Sequence, residues 1–313
     1  MARESVHKSV IIAALLVFSG AYVYLSFTTP PQPAAPGFEL YEPWKTLIRI
    51  SFILPIILSW AFGAFAVMYL TAAAHRAPGT KVGRMFHLLG YGVMALIMGS
   101  WVSTVIGQVR TNFLERGSVL DVASTVATNY VYVLFPLVGF ALIYMASTSR
   151  ATATQEERRD PSWPAALLLI VVLGALWIAI IFTNESRQTS TLSFARPTYY
   201  ISDPLIILTI VTPTLAAWLL GIAGALNFSD LESGGAPAMR KAFTRIVHGL
   251  LFAVFNSMIL NGLLSAGSER LLAAGLAFLL VIIYVFVFLA TVSYWMIWRG
   301  AKDLLDQSYE HQE

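Results

Sequence analysis

The 313-residue chain contains no cysteine. This absence excludes disulfide bonds, thiolate catalysis, and zinc or iron–sulfur centres held by cysteine. Charged residues are also scarce, at 12% of the chain, which is about half the fraction usual in soluble domains. Hydrophobic residues make up 57% of the chain and the mean hydropathy is +0.70, more apolar surface than a soluble fold could bury. The composition therefore predicts an integral membrane protein.

Ionisable side chains are missing from the middle of the long apolar segments. Four charges lie near the predicted outer ends of these segments: Arg49, Asp121, Asp203 and Arg270. Proton relays, cation pathways and voltage sensors use ionisable groups at membrane depth, so the sequence argues against such mechanisms. The H-E-x-x-H, G-x-S-x-G, P-loop and G-x-G-x-x-G motifs are absent as well. We expect neither enzymatic activity nor a bound cofactor or metal, and membrane lipids rather than nucleic acid as partners.

Two histidines are candidates for ligands of a haem between helices. His87 and His248 both fall near the predicted cytoplasmic end of their segments. Neither is accompanied by a second histidine on the same segment, and aligning the two segments does not superpose them. Histidines at the membrane interface are therefore the favoured interpretation, with haem ligation as the alternative.

Eight segments are long and apolar enough to span a bilayer, which requires about 20 residues of helix. The loops between them are short and hold no soluble domain. The fold class predicted is thus an all-α integral membrane protein with eight transmembrane helices. The predicted segments are residues 9–27, 50–72, 85–107, 120–146, 163–183, 203–227, 243–265 and 271–298.

The distribution of positive charge predicts the orientation. With a cytoplasmic N-terminus, thirteen of the twenty lysines and arginines fall in cytoplasmic loops and tails, and seven fall outside. The positive-inside rule therefore predicts a multi-pass protein of the cell membrane with both termini in the cytoplasm.

Segments in the first half of the chain resemble segments in the second half, at a nearly constant offset in residue number. At 158 positions, the segments 50–72 and 203–227 share P-x4-W-x2-G, which pairs Pro55, Trp60 and Gly63 with Pro213, Trp218 and Gly221. At 157 positions, the next segments pair Phe86 with Phe243, Gly92 with Gly249 and Ser100 with Ser257. This self-similarity predicts an internal duplication of a four-helix unit.

The duplication also predicts the domain organisation and the symmetry. Residues 1–150 would form the first four-helix repeat, 151–162 a cytoplasmic linker, 163–300 the second repeat and 301–313 a cytoplasmic tail. Because four helices is an even number, both repeats enter the membrane in the same direction. A pseudo-two-fold axis is then expected along the membrane normal, with a seam between the halves.

The candidate cavity or seam residues are the repeated motif and the polar side chains within the segments. Proline should kink a helix and glycine should allow close helix contact, and both roles are common packing devices. Interhelical hydrogen bonding likewise accounts for most polar residues in membrane helices. The functional alternative is a polar vestibule, open to the outer side and floored near the two tryptophans. The set comprises Pro55, Trp60, Gly63, Ser100, Thr104, Asn129, Thr212, Pro213, Trp218, Gly221, Asn256, Ser257 and Asn261.

The sequence does not decide between two functions of different classes. The first is a facilitative transporter or permease for a neutral or lipophilic solute, which fits the lack of buried charge and the seam. The second is a non-catalytic membrane subunit or scaffold that packs against a membrane protein partner or a second copy of the chain. Solute flux in liposomes would support the first, and a stable complex without flux the second.

Overall fold

The computed structural model describes residues 2–28, 45–114, 119–148, 212–229, 237–266 and 276–310. Within these ranges the chain is helical apart from short turns and helix ends. The described ranges contain seven helices: α1 (Ala2–Thr28), α2 (Lys45–Arg76), α3 (Lys81–Phe113), α4 (Val119–Thr148), α5 (Thr212–Ser229), α6 (Pro237–Ala266) and α7 (Leu276–Glu310).

These helices correspond to seven of the eight predicted segments and are mostly longer than predicted. The predicted segment 163–183 and the first part of 203–227 lie outside the described residues. The last helix continues to Glu310, into the predicted tail 301–313, and buries Ala301, Leu304 and Leu305 against the rest of the protein. The beginning of the predicted tail is therefore helical and packed.

Four helices are long and apolar enough to cross a membrane by length and composition. Their candidate spans are His7–Thr28, Arg49–Arg76, Lys81–Arg110 and Val131–Thr148. Between 22% and 50% of the residues in an 18-residue apolar stretch of each span are buried within the protein. The rest of the apolar surface faces outward, as it does at Leu16 and Val17 of α1. Such surface requires a lipid environment, so the fold indicates a multi-pass helical membrane protein.

The turn between α2 and α3 is formed by residues 77–80. Gly79 adopts a left-handed conformation with φ of 72°, which glycine accommodates without steric cost. The next residue, Thr80, caps α3, because its hydroxyl accepts a hydrogen bond from the Gly83 amide at 3.0 Å. Before the turn, the Ala77 amide donates to the Ala74 carbonyl at 3.2 Å. These interactions reverse the chain within four residues and make α2 and α3 neighbours.

Six of the helices contact one another in a closed cycle. Helix α2 packs on α3, α3 on α4, α4 on α5, α5 on α6, α6 on α7, and α7 returns to α2. Helix α1 lies against α2 and α3 outside this cycle. The largest fully buried side chains include three tryptophans: Trp60, Trp101 and Trp218. Fully buried side chains therefore lie on several helices of the cycle and are not confined to one pair of helices.

Polar contacts join the helices at both ends of the bundle. At one end, the Arg76 guanidinium of α2 donates to the Leu305 carbonyl of α7 at 3.1 Å, and Arg245 of α6 forms an ion pair with Asp303 of α7. At the other end, the Asn112 side chain of α3 donates to the Leu25 carbonyl in the last turn of α1 at 2.5 Å. These contacts fix the relative heights of α1, α3, α6 and α7 and of the end of α2.

Candidate functional site

A cavity of about 150 Å³ lies between the helices of the cycle. Side chains of α2, α3, α4, α6 and α7 line it, and none of these lining side chains is charged. The wall is mainly apolar and aromatic, with hydroxyl groups and one amide distributed over it. Its polar members are Ser59, Ser100, Thr104, Tyr132, Asn256, Ser257, Ser293 and Tyr294.

Two of the lining serines are held by tryptophans behind the wall. The Trp60 indole nitrogen donates to the Ser100 hydroxyl at 2.9 Å, and the Trp218 indole nitrogen donates to the Ser257 hydroxyl at 3.3 Å. Both indoles are almost completely inaccessible to solvent. The tryptophans therefore do not line the cavity, and their contribution to the site is to orient the serine hydroxyls at its surface.

Gly63 allows α2 to approach two helices at once. A Cβ atom at this position would lie 2.6 Å from the Ile97 side chain of α3 and 3.2 Å from the Tyr294 ring of α7. Since Tyr294 lines the cavity, the missing side chain of Gly63 makes room for part of its wall. Gly63 therefore lies at a close contact of α2 with α3 and α7.

Gly221 has the same kind of surroundings in α5. A Cβ atom there would lie 2.5 Å from the Val254 side chain of α6 and 2.8 Å from the Phe140 ring of α4. Phe140 lines the cavity, as Tyr294 does. Helix α5 therefore packs between α6 and α4 in the way that α2 packs between α3 and α7.

A second pair of close approaches involves Gly92 of α3 and Gly249 of α6. A Cβ atom would lie 2.7 Å from the Gly139 carbonyl oxygen of α4 at the first position and 2.8 Å from the Ser293 carbonyl oxygen of α7 at the second. The Ser293 hydroxyl also donates to the Gly249 carbonyl at 2.8 Å. Direct backbone contact thus joins α3 to α4 and α6 to α7.

Among the described lining residues, Asn256 provides the one side-chain amide. Its Oδ1 atom is buried and has no hydrogen-bond partner within the described part of the chain. At the offset of 157 positions, Gly99 takes the corresponding place on α3, and it also lines the cavity. The two sides of the cavity therefore differ in polarity at this position.

The other predicted site residues lie away from the cavity wall or outside the description. Pro55 is inside α2, where its carbonyl accepts a hydrogen bond from Thr291 of α7 at 2.9 Å. Thr212 and Pro213 are the first two described residues of α5, and neither is a lining residue. Asn129 of α4 and Asn261 of α6 lie on described helices, but their side chains are outside the description. The predicted vestibule and proline kinks stay predictions.

Sequence reasoning missed the contribution of α7 to the site and named only Asn129 on α4. At an offset of 154 positions, the residues of α4 that make close contacts with glycines align with residues of α7 that do the same. Comparing only the general apolar character of the two helices does not detect this alignment. Four further polar lining residues were also missed: Ser59, Tyr132, Ser293 and Tyr294. The pairs at this offset are Gly139 with Ser293, Phe140 with Tyr294, and Ile143 with Ile297.

The two histidines considered as haem ligands have separate surroundings. The His87 ring lies 5.2 Å from the His75 ring, edge to face, and is stacked on Tyr91 at 6.0 Å. His248 is exposed, and its Nδ1 atom lies 2.7 Å from the Thr244 carbonyl oxygen. Neither lines the cavity. Over the described ranges, no group of three histidine, aspartate or glutamate side chains is placed to hold a metal ion.

Comparison with protein-family models, curated proteins and solved structures finds no significant match to this chain.

Proposed function

We propose that this protein is a facilitative transporter or permease for a small neutral or lipophilic solute, which binds in the cavity between the helices of the cycle. The observation that carries this proposal is the composition of the wall as far as the structure describes it: hydroxyls, one amide and aromatic rings, without a charged side chain. A charged solute would lose its hydration there without gaining a counter-ion, at a large cost in free energy. The desolvation cost of an uncharged molecule is much smaller, and hydrogen bonds to the wall can offset it. Transport also needs no proton-coupling residue if the solute moves down its own gradient.

The proposal includes two tandem four-helix units related by a pseudo-two-fold axis along the membrane normal. Its support is the recurrence of contacts at the sequence offsets. The bond from Trp60 to Ser100 recurs as the bond from Trp218 to Ser257, and the surroundings of Gly63 recur at Gly221. In this arrangement the cavity lies at the seam between the units, where a rocking motion of one unit against the other would expose it to each side in turn.

The proposed topology has eight spans in the cell membrane and both termini in the cytoplasm. It rests on the apolar length of the segments and on the excess of lysine and arginine in alternate loops. The end of the bundle that carries Arg76, Arg245 and Asp303 would then face the cytoplasm.

Flux through proteoliposomes tests the function. Stopped-flow light scattering would measure the entry of acetamide and 1,3-propanediol, two small neutral solutes, into vesicles with the full-length protein and into empty vesicles. We expect faster entry with the protein and loss of this increment in Ala253→Phe, because the added ring fills the cavity that Ala253 lines. Leu134→Phe is the control, since Leu134 lies on α4 with 49% of its surface exposed.

Entry no faster than in empty vesicles, for the wild type as well as the variants, would contradict the proposal. A stable assembly with a second membrane protein, detected by native mass spectrometry of the same flux-inactive preparation, would then favour the scaffold function. An Ala253→Phe variant that is folded and transports at the wild-type rate would show that the cavity is not the route.

A further inference from the structure

We propose that Asn256 determines the specificity of the cavity by accepting a hydrogen bond from the bound molecule, so that the ligand is a small uncharged molecule with one hydroxyl or N–H donor on an apolar body. This inference rests on the proposed function, because it assigns the ligand class of the same site. It concerns recognition, and it can be tested without measuring transport.

The first observation is the unpaired acceptor. The Oδ1 atom of Asn256 is buried and has no hydrogen-bond partner in the part of the chain that the structure describes, although Asn256 lines the cavity. A buried carbonyl oxygen without a donor is unfavourable, and native proteins satisfy most such atoms. The oxygen itself exposes almost no surface to the cavity, so rotation of the side-chain amide about its Cβ–Cγ bond has to turn it toward the bound molecule, whose donor would then remove this penalty.

The second observation is that neighbouring hydroxyls already have partners within the protein. Ser100 and Ser257 accept from the two buried tryptophans, at 2.9 and 3.3 Å. Ser293 donates to the Gly249 carbonyl at 2.8 Å. Each of these hydroxyls keeps a partner when the cavity is empty, whereas the Asn256 Oδ1 atom has none, so the gain from a ligand donor is greatest at Asn256.

The third observation is that the polar recognition is one-sided. At the offset of 157 positions, Gly99 stands where Asn256 stands in the other half. A side chain at Gly99 would collide with α4, since a Cβ atom there would lie 2.7 Å from the Phe135 Cβ atom. Leu96 and Phe140 also line the cavity. A ligand with one polar end and an apolar remainder matches this asymmetry.

The volume limits the size of the ligand. The cavity measures about 150 Å³. Engineered apolar cavities of about this volume bind benzene, so a molecule of roughly six to eight non-hydrogen atoms is expected. The lining residues that the structure describes carry no charge, so carboxylates and ammonium ions are excluded, because their desolvation would not be compensated.

Two probes of equal size separate recognition of the donor from simple apolar burial. The compounds 4-fluorophenol and 4-fluorotoluene have the same number of non-hydrogen atoms, and the phenol alone carries a donor. Their dissociation constants would be measured by fluorine NMR titration of the full-length protein in lipid nanodiscs, with empty nanodiscs subtracted. We expect wild-type protein to bind the phenol more tightly, and Asn256→Leu to weaken phenol binding by about tenfold while leaving toluene binding equal or tighter.

The control variant is Asn227→Ala. Asn227 is also a helical asparagine, but it lies outside the cavity wall and donates to Ser147 between α5 and α4 at 3.2 Å. We expect it to leave the preference for the phenol unchanged. Asn256→Ala, which adds no bulk, serves if Asn256→Leu fails to fold.

Equal affinity of the wild-type protein for the two probes, or binding of neither, would overturn the inference without any variant. An unchanged preference in a folded Asn256 variant would overturn it as well. Selective phenol binding without solute flux would keep the recognition role and contradict transport, whereas flux without donor preference would do the reverse.

Discussion

The Trp60 indole of α2 and the Ser100 hydroxyl of α3 form a hydrogen bond of 2.9 Å next to the cavity. Trp60 is completely buried, and its ring lies within 6.4 Å of the Trp101 ring, edge to face. The bond thus joins two helices and fixes a cavity hydroxyl at the same time. Its orientation also leaves the serine oxygen as the acceptor.

Removing the acceptor should destabilise the protein. Ser100→Ala leaves the Trp60 N–H buried without a partner, and we expect a loss of about 1–3 kcal/mol in the free energy of unfolding. Ser257→Ala should cost less, because its bond from Trp218 is longer at 3.3 Å. Thermal unfolding in nanodiscs, followed by tryptophan fluorescence, would measure both.

The control for these variants is Ser103→Ala on the same helix. The Ser103 hydroxyl donates to the Ser100 carbonyl, three residues earlier, and holds no second helix. If Ser100→Ala and Ser103→Ala unfold at the same temperature, the tie between Trp60 and Ser100 does not stabilise the fold.

Gly92 and Gly90 of α3 offer a second matched pair. Gly92→Ala should destabilise the contact between α3 and α4 by about 1–3 kcal/mol, because the new Cβ atom would lie 2.7 Å from a carbonyl oxygen of α4. At Gly90 the nearest atom would be the Leu70 Cβ at an ordinary 3.5 Å. Gly90→Ala should therefore be neutral or raise stability by up to about 1 kcal/mol through helix propensity.

Thermal unfolding of the two glycine variants under one set of conditions would compare them. A Gly92→Ala protein as stable as Gly90→Ala would mean that α3 and α4 do not meet as closely as the structure has them.

The ion pair of Arg245 with Asp303 links α6 to α7, and Arg299 lies 3.8 Å from the same carboxylate. Both partners of the pair are partly exposed, at 27% and 21% of their side chains. Asp303→Asn should therefore lower stability by no more than about 1 kcal/mol at low salt. The loss should shrink at 1 M salt, where the Debye length is about 3 Å.

Asp306→Asn, one turn later on the exposed face of α7, controls for the removal of a negative charge from this helix end. Unfolding measured at low and high salt would distinguish the variants. A salt-independent effect of Asp303→Asn, or an equal effect of Asp306→Asn, would speak against the ion pair.

The absence of cysteine makes the natural chain a background for labelling single cysteines. Pro78 is exposed in the turn between α2 and α3, and Phe113 is exposed at the other end of α3. With the proposed orientation, Phe113→Cys should react with an impermeant maleimide added to intact cells, and Pro78→Cys should react after the membrane is opened. The reverse pattern would invert the proposed topology.

Much of the fold could be predicted from the sequence because lipid imposes a simple requirement. An apolar run of about 20 residues can satisfy its backbone in hydrocarbon as a helix, so composition and length identify the helices without knowledge of their neighbours. The segments 50–72 and 85–107 fall inside α2 and α3 for this reason. Helix ends were predicted less well. Helices α2 and α3 continue beyond their apolar runs as far as the polar turn at Gly79, which ends one and precedes the other.

The bond between Trp60 and Ser100 illustrates both what the sequence determined and what only the tertiary structure decided. The sequence determined the helices, the scarcity of charge and the repeated positions of Trp60, Ser100 and their counterparts. The tertiary structure decided that the tryptophans stand behind the cavity, that α4 and α7 supply much of its wall, and that Asn256 is left with an unpaired acceptor. These features depend on the rotation of each helix about its axis, which side-chain packing between helices sets and hydrophobicity alone does not.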